Sequence, residues 1–327
     1  MATGRITRRT ALGLAAGGFA VSQAARAAFP ERPIRLVVPY GAGGQTDIVS
    51  RLVAEALSRR LGQPVLADNR PGGAGNLAAE AVARAAPDGH TVLVAGPGTN
   101  SGINALLYRN VSYDAERDFA PVGLFCTTPC VLLVHNSIPG RDLPELLAWI
   151  RANSGRFTFA SAGVGATTHL AMELLGAREK LEMVHVPYRQ STQAMTDLLS
   201  GRVHSRCLGT PEGDTVRGLP SIRAVAVTNA QRNPNWPDVP TMAETVPGYE
   251  ASAYFGLAVP ARTPPEAIQR LSAALNEALA DERLRAAYAR IGADIAAPNT
   301  PEDFTALARA EAAKWTPLIR ALKLVAE

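Results

Sequence analysis

A chain of 327 residues, 47% hydrophobic and 19% charged, can bury a sizeable core and is too long for one compact core to be the default, so two lobes are expected. Its formal net charge of +4 resides in the first 27 residues, which hold Arg5, Arg8, Arg9 and Arg26 and no acid; the remainder balances to about zero. That balance excludes the electrostatic footprint of a nucleic-acid or anionic-membrane binder.

The N-terminal stretch reads as a cleavable export signal over residues 1–27. Arg5, Arg8 and Arg9 precede an uncharged run from Ala11 to Ser22, and Ala25-Arg26-Ala27 places small residues two apart. The run of about 12 residues falls short of the roughly 20 that cross a bilayer, so a periplasmic protein is expected and not a retained anchor. The pair Arg8-Arg9 suits a twin-arginine signal but lacks the bulky residue expected after it; general secretion fits equally. An oxidising destination raises the question of Cys126, Cys130 and Cys207. Four residues of strand would hold Cys126 and Cys130 about 13 Å apart, beyond bridging distance. Buried free thiols are expected, with a bridge from Cys207 to either of the others left open.

Past the leader, short β-branched runs alternate with longer amphipathic ones. Ile34 to Tyr40 is predicted as a strand; the apolar spacing from Thr46 to Leu61 predicts a helix ending at Gly62. Further strands are predicted at Val65 to Asp68, Thr91 to Ala95, Phe157 to Ser161, Met183 to Val186 and Val203 to Leu208. Helices are predicted around Leu77 to Ala86, Asp142 to Asn153, Thr167 to Gly176 and Ser191 to Ser200. The alternation argues for an α/β fold with mainly parallel sheets covered by helices. Crossings between lobes are expected at Asp118 to His135, broken by Pro121 and Pro129, and at the proline-rich Thr228 to Tyr249. A helical tail, Pro264 to Ile291 and Pro301 to Leu324, is expected to return to the first lobe. The boundaries are thus residues 28–125 plus 235–327 for lobe 1 and the inserted residues 126–234 for lobe 2.

Catalytic templates fail: there is no Gly-x-Ser-x-Gly elbow, no His-Glu-x-x-His, no Cys-x-x-Cys and no Gly-Lys-Ser/Thr after a glycine loop. The five histidines are scattered, and a metal site from His169, His185 and His204 is a weaker reading than single satisfied histidines. What recurs is a glycine-rich turn: Gly41-Ala-Gly-Gly-Gln-Thr-Asp47, Pro71-Gly-Gly-Ala-Gly-Asn76, Gly96-Pro-Gly-Thr-Asn-Ser-Gly102 and Ser161-Ala-Gly-Val-Gly-Ala-Thr-Thr-His169. Such turns bring backbone close to a ligand and aim helix-start amides at an anion. The first and fourth contain no Lys or Arg, which suits reversible capture of a carboxylate by Gln45, Thr46, Ser161, Thr167, Thr168 and backbone amides. Asp47 reads either as a first-turn acid or as a partner for a ligand amine or hydroxyl.

The run from Phe29 to Asp47 resembles the start of the tripartite tricarboxylate transporter substrate-binding proteins, the TctC or Bug family. More of the pattern follows in order, including Leu61-Gly-Gln-Pro-Val65, Asp68-Asn-Arg-Pro-Gly-Gly-Ala-Gly75, Pro87-Asp-Gly-His-Thr91, His185-Val-Pro-Tyr188 and Asp238-Val-Pro-Thr241. The resemblance implies a two-lobed periplasmic binding protein-like fold of type II, monomeric, without catalysis, metal or cofactor. Such a receptor closes on a small carboxylate (di- or tricarboxylate, amino acid or aromatic acid) and delivers it to membrane permease subunits. A receptor regulating a membrane sensor, or an enzyme using the interlobe cleft, are the alternatives. Carried onto this chain, the ligand site is expected at Tyr40, Gly43, Gly44, Gln45, Thr46, Asp47, Thr99, Asn100, Ser161, Gly163, Gly165, Ala166, Thr167, Thr168, His169 and Tyr188. The chain departs where relatives tend to have Pro-Tyr-Lys/Arg-Gly, here Pro187-Tyr-Arg-Gln190, and where they tend to have Val-Asp-x-Met-Phe-Asp, here Val203-His-Ser-Arg-Cys-Leu-Gly209. The second change is expected to remove a carboxylate from the cleft wall.

Overall fold

The computed structural model describes residues 29–326; the export signal expected over residues 1–27 lies outside them. The described chain opens with β1 (Ile34–Val38), α1 (Gln45–Leu61), β2 (Val65–Asn69), α2 (Asn76–Ala83) and β3 (Thr91–Ala95). Two short helices, α3 (Pro97–Asn100) and α4 (Ile103–Leu107), lead to a 17-residue strand, β4 (Phe119–His135). Next come α5 (Leu143–Ala152), β5 (Phe157–Ser161), α6 (Thr167–Glu179), β6 (Met183–Pro187), α7 (Ser191–Leu199), β7 (Ser205–Gly209), α8 (Thr210–Asp214) and β8 (Ile222–Val227). The last elements are α9 (Met242–Thr245), β9 (Ser252–Pro260), α10 (Pro265–Leu279), α11 (Glu282–Arg290), β10 (Asp294–Ile295) and α12 (Pro301–Ala321).

The strands form one path, β2-β1-β3-β9-β4-β7-β5-β6, with β8 and β10 also paired to β4. The pairs β1–β2, β1–β3, β5–β6 and β5–β7 are parallel. Strand β9 is antiparallel to β3 and β4, and β4 is antiparallel to β7 and β8. The first half thus combines parallel β1, β2 and β3 with antiparallel β9 and the short antiparallel β10, and the second combines parallel β5, β6 and β7 with β4 running against them. The first expected crossing is extended throughout and is not broken at Pro121 or Pro129: β4 pairs with β9 from Phe119 to Pro129 and with β7 and β8 from Cys130 to His135. Pro121, which has no N–H to give the ladder, sits at a register shift that absorbs it.

Two other expectations change. No strand is predicted between Tyr249 and Pro264, yet β9 lies there, central in the sheet; its Ala253, Gly256 and Ala258 dilute the β-branched signal. The helical tail expected over Pro264 to Ile291 consists of two helices, because the Asp281 side chain accepts the Arg283 N–H and starts α11 afresh.

In the first half, α1 and α10 bury Val53, Leu57, Leu271 and Leu275 on one sheet face, while α2 and the start of α12 bury Ala78, Val82 and Phe304 on the other. In the second half, α5 and α6 bury Leu147 and Leu170 on one face and α7 buries Leu198 on the other. Residues Trp236 to Ala251, expected with lobe 1, pack instead in this second half: Trp236 and Val239 on the α7 side, Met242, Val246, Tyr249 and Ala251 on the other. Helix α12 does not return to the first half alone. Its Phe304 and Ala308 are buried there, but its Trp315 and Ile319 are buried in the second. Cys126, Cys130 and Cys207 are free and buried, so the bridge left open to Cys207 is not made. A hydrogen bond to Cys130, together with burial, pushes the Cys207 thiol well above its ordinary pKa.

A Cβ at Gly256 would stand 2.2 Å from the Phe304 ring. Gly256→Ala should therefore destabilise by about 1–3 kcal/mol through overpacking, seen as a lower urea midpoint, and the further change Phe304→Leu should recover part of the loss. An unchanged midpoint would show that the ring is not fixed over this glycine.

Candidate functional site

Strand β1 delivers Pro39 and Tyr40 to a turn that starts α1; β5 delivers Ser161 to a turn that starts α6. The residues before these helices, Gly44 and Ala166, are extended and supply no side-chain cap. The amides of Gln45, Thr46, Thr167 and Thr168 thus have no intrahelical acceptor. By contrast α5, α9, α11 and α12 begin on Asp142, Thr241, Asp281 and Thr300, whose side chains take such amides. Helices α2, α4, α7, α8 and α10 also start without a side-chain cap; the starts of α1 and α6, each the positive end of a helix dipole, stand in the wall of one cavity of about 60 Å³, with Ser191 of α7 beside them.

Of the residues expected from sequence, Tyr40, Gly44, Gln45, Thr46, Thr99, Ser161, Ala166, Thr167, Thr168 and Tyr188 line this cavity. Gln45 is the best placed donor. Its Oε1 accepts from Thr128 Oγ1 at 2.8 Å, which leaves the Nε2 amide for a ligand. Its side chain also fills the space a Cβ at Gly209 would need, since such an atom would lie 1.6 Å from Gln45 Oε1; only glycine at that position lets a residue of the first half reach β7. Thr168 Oγ1 accepts the Ala162 N–H at 3.2 Å, so its hydroxyl proton is free. Ser161 Oγ lies 2.6 Å from His185 Nε2 and accepts the Gly163 N–H at 3.1 Å. Two hydroxyls are already committed: Tyr188 donates to Asp197 at 2.8 Å, and Thr99 bonds the Gly96 backbone.

Gly43, Asp47, Asn100, Gly163, Gly165 and His169 are not in the cavity wall. The Asp47 carboxylate takes the Gly43 N–H at 3.0 Å, the Asn69 amide at 2.9 Å and the Arg51 guanidinium at 2.9 Å. Burial would raise its pKa, but these bonds outweigh burial and hold the carboxyl below its ordinary range. Of the two readings of Asp47, the structure favours the first-turn acid. Asn100 Oδ1 accepts from the Tyr254 hydroxyl at 2.8 Å. Gly163 and Gly165 make the turn itself, at φ 118 and 87. His169 is buried behind it, taking the Gly165 N–H at 3.1 Å, facing Glu173 at 3.3 Å and stacked 3.9 Å from His185. His204 lies elsewhere, stacked on Phe157, and among the described residues no group of three His, Cys, Asp or Glu is placed to hold a metal.

The wall also holds charges that the glycine loops did not signal. Arg206 of β7 and Glu212 of α8, 2% and 7% exposed, pair at 2.7 Å. Ser191, the first residue of α7, joins them: its Oγ donates to Glu212, and Arg206 reaches its Oγ at 2.6 Å and its carbonyl at 3.1 Å. Arg189 lines the cavity from the exposed side. The expected loss of a carboxylate from this wall is therefore corrected, because Glu212 supplies one from the next element. Arg206 stands inside the segment that departs from relatives, which was its signal; Glu212 had none beyond its position three residues after Gly209. Val94, Ala253 and Phe255 complete the wall with apolar surface.

Burial, and next the neighbouring His169, push His185 down from 6.5 to about 3. The folded protein holds it neutral, while the unfolded chain takes up its proton near the ordinary value, so stability should fall as pH drops from about 6.5 towards 3. His185→Asn should flatten that loss in melts recorded between neutral pH and pH of about 4; parallel curves for the two proteins would assign the acid sensitivity to other groups.

Comparison with known proteins gives a consistent set of likenesses. A family model described as "Tripartite tricarboxylate transporter family receptor" matches residues 49–324. The chain is 38% identical over 294 residues to the UPF0065 protein of the tcbD-tcbE intergenic region of Pseudomonas sp. strain P51, covering 89% of this chain and 87% of that one. Among solved structures, R. palustris Rpa4515 with adipate superposes at a TM-score of 0.85 with 34% identity, covering 89% of this chain and 97% of its own. The periplasmic binding protein BugD gives 0.85 with 31% identity, covering 90% and 99%.

Proposed function

The chain belongs to the tripartite tricarboxylate transporter receptor family, and from that premise we propose that it is a periplasmic receptor, acting as a monomer, that closes on one small carboxylate and presents it to membrane permease subunits. One observation carries the reading: two helix starts without side-chain caps, from opposite halves of the sheet, meet at a single cavity. The R. palustris relative holds adipate, a ligand of the chemical class such donors suit. Hydrogen bonds to a charged acceptor contribute about 1.5–3 kcal/mol each. A few of them offset the cost of association and leave micromolar binding, about 8 kcal/mol. Such affinity allows release to a partner.

The contacts between halves also suit a clamp. Gln45 reaches over Gly209, and the Gln190 side chain lies against Gly41. The residue that departs from the relatives' glycine thus becomes an interlobe contact. The pair Ser161 and His185 has the spacing of a nucleophile and its base, but a histidine pushed down to about 3 is a weak proton acceptor at neutral pH. Binding without turnover is the reading this chemistry favours.

Mono-, di- and tricarboxylates, amino acids and aromatic acids would be tested by thermal shift on the mature chain; a ligand should raise the melting temperature saturably, as RT ln(1 + [L]/Kd). Gln45→Ala should weaken that ligand about tenfold, the worth of one hydrogen bond. Gln45→Glu keeps the bond from Thr128 but sets a negative charge at the seat, and should weaken binding roughly a hundredfold or more. Affinity for the Gln45→Glu protein within about threefold of the native value, less than one neutral hydrogen bond is worth, would remove the carboxylate from this cavity.

A further inference from the structure

We propose that the cavity selects acids of a single negative charge, and that Glu212 sets this choice against diacids; the inference rests on the carboxylate reading above. The ionised side chains in the wall are Arg189, Arg206 and Glu212, two cations and one anion, which complement one carboxylate. Asp47 adds nothing to this balance, since it lies outside the wall and is paired with Arg51.

The Arg206 charge is not available to a second carboxylate. Glu212 holds it at 2.7 Å, and Ser191 bonds both partners. A diacid would have to displace Glu212, leaving that carboxylate buried and unpaired, or bring its own second carboxylate unpaired alongside it. Both arrangements strand a charge away from water. A neutral oxygen meets no such penalty. The nearby apolar surface of Val94, Ala253 and Phe255 suits the carbon chain between.

The test compares isosteres by calorimetry on the mature chain: the monoamides of malonic, succinic, glutaric and adipic acids against the four diacids. The best monoamide should bind at least about tenfold tighter than its diacid, a difference of one desolvated charge. Glu212→Gln frees Arg206 and should narrow or reverse that ratio. Should this variant fail to fold, Arg206→Met with Glu212→Gln removes both charges together, keeps the wall at one net cation and should retain the monoamide preference. A diacid that binds the native protein as tightly as its monoamide, an unchanged ratio in folded Glu212→Gln, or a diacid preference in the double variant would each overturn the proposal while leaving the receptor reading intact. If neither series binds and no acid of the thermal-shift panel does, the carboxylate reading falls and this inference with it; if only other acids bind, this inference falls alone.

Discussion

Strand β4 is hydrogen-bonded into both halves of the sheet, and that single shared ladder sets where everything else can stand. Because one stretch of it pairs with β9 and the next with β7 and β8, the carboxyl ends of β1 and β5 are brought to face each other from opposite halves. The turns that leave those ends start α1 and α6, and in open α/β sheets such ends are where ligands bind. Residues Cys130 to Val134, in the stretch of β4 that enters the second half, are almost wholly buried, so the strand is held there on both faces.

Strands bounded by glycine turns were the most legible part of the chain. Thr91–Ala95 and Phe157–Ser161 appear where their β-branched and aromatic runs place them, and α1 follows the apolar stripe from Ile48 to Leu61. Strand β9 was not legible, because Ala253, Gly256 and Ala258 interrupt its aromatic and aliphatic run and its place in the sheet is set by long-range pairing with β3 and β4. Trp236 to Ala251 were misassigned for a similar reason: proline-rich spacing marks a crossing but does not say which core receives the apolar side chains that follow.

At the site, the loops were readable and the charges were not. Glycine turns between strand and helix announce backbone geometry, and eight of the expected residues that line the cavity lie in them, with Tyr40 and Tyr188 added by the family resemblance. Which first-turn side chains face inward is decided by local bonding instead. Asp47 and Gly43 satisfy each other, and His169 turns back onto its own loop. Arg206 and Glu212 lie on different elements, six positions apart in sequence, and meet only because α8 follows β7 at the cavity edge. A pattern read along the chain weighs each as an isolated charge, whereas in the fold they are one nearly neutral unit.

Helix α12 gives the molecule a mechanical limit. Phe304 fixes its beginning in one core and Trp315 fixes its later turns in the other, about three turns of continuous helix between the two attachments. A flexible linker would let the halves swing freely; a helix resists stretching and yields chiefly by bending. Pro317, inside the helix and beside the second attachment, removes one rung of its ladder there. The terminal helix is thus a stiff tether with its weak point built near one end, and the gape of the cavity is bounded by how far that tether flexes.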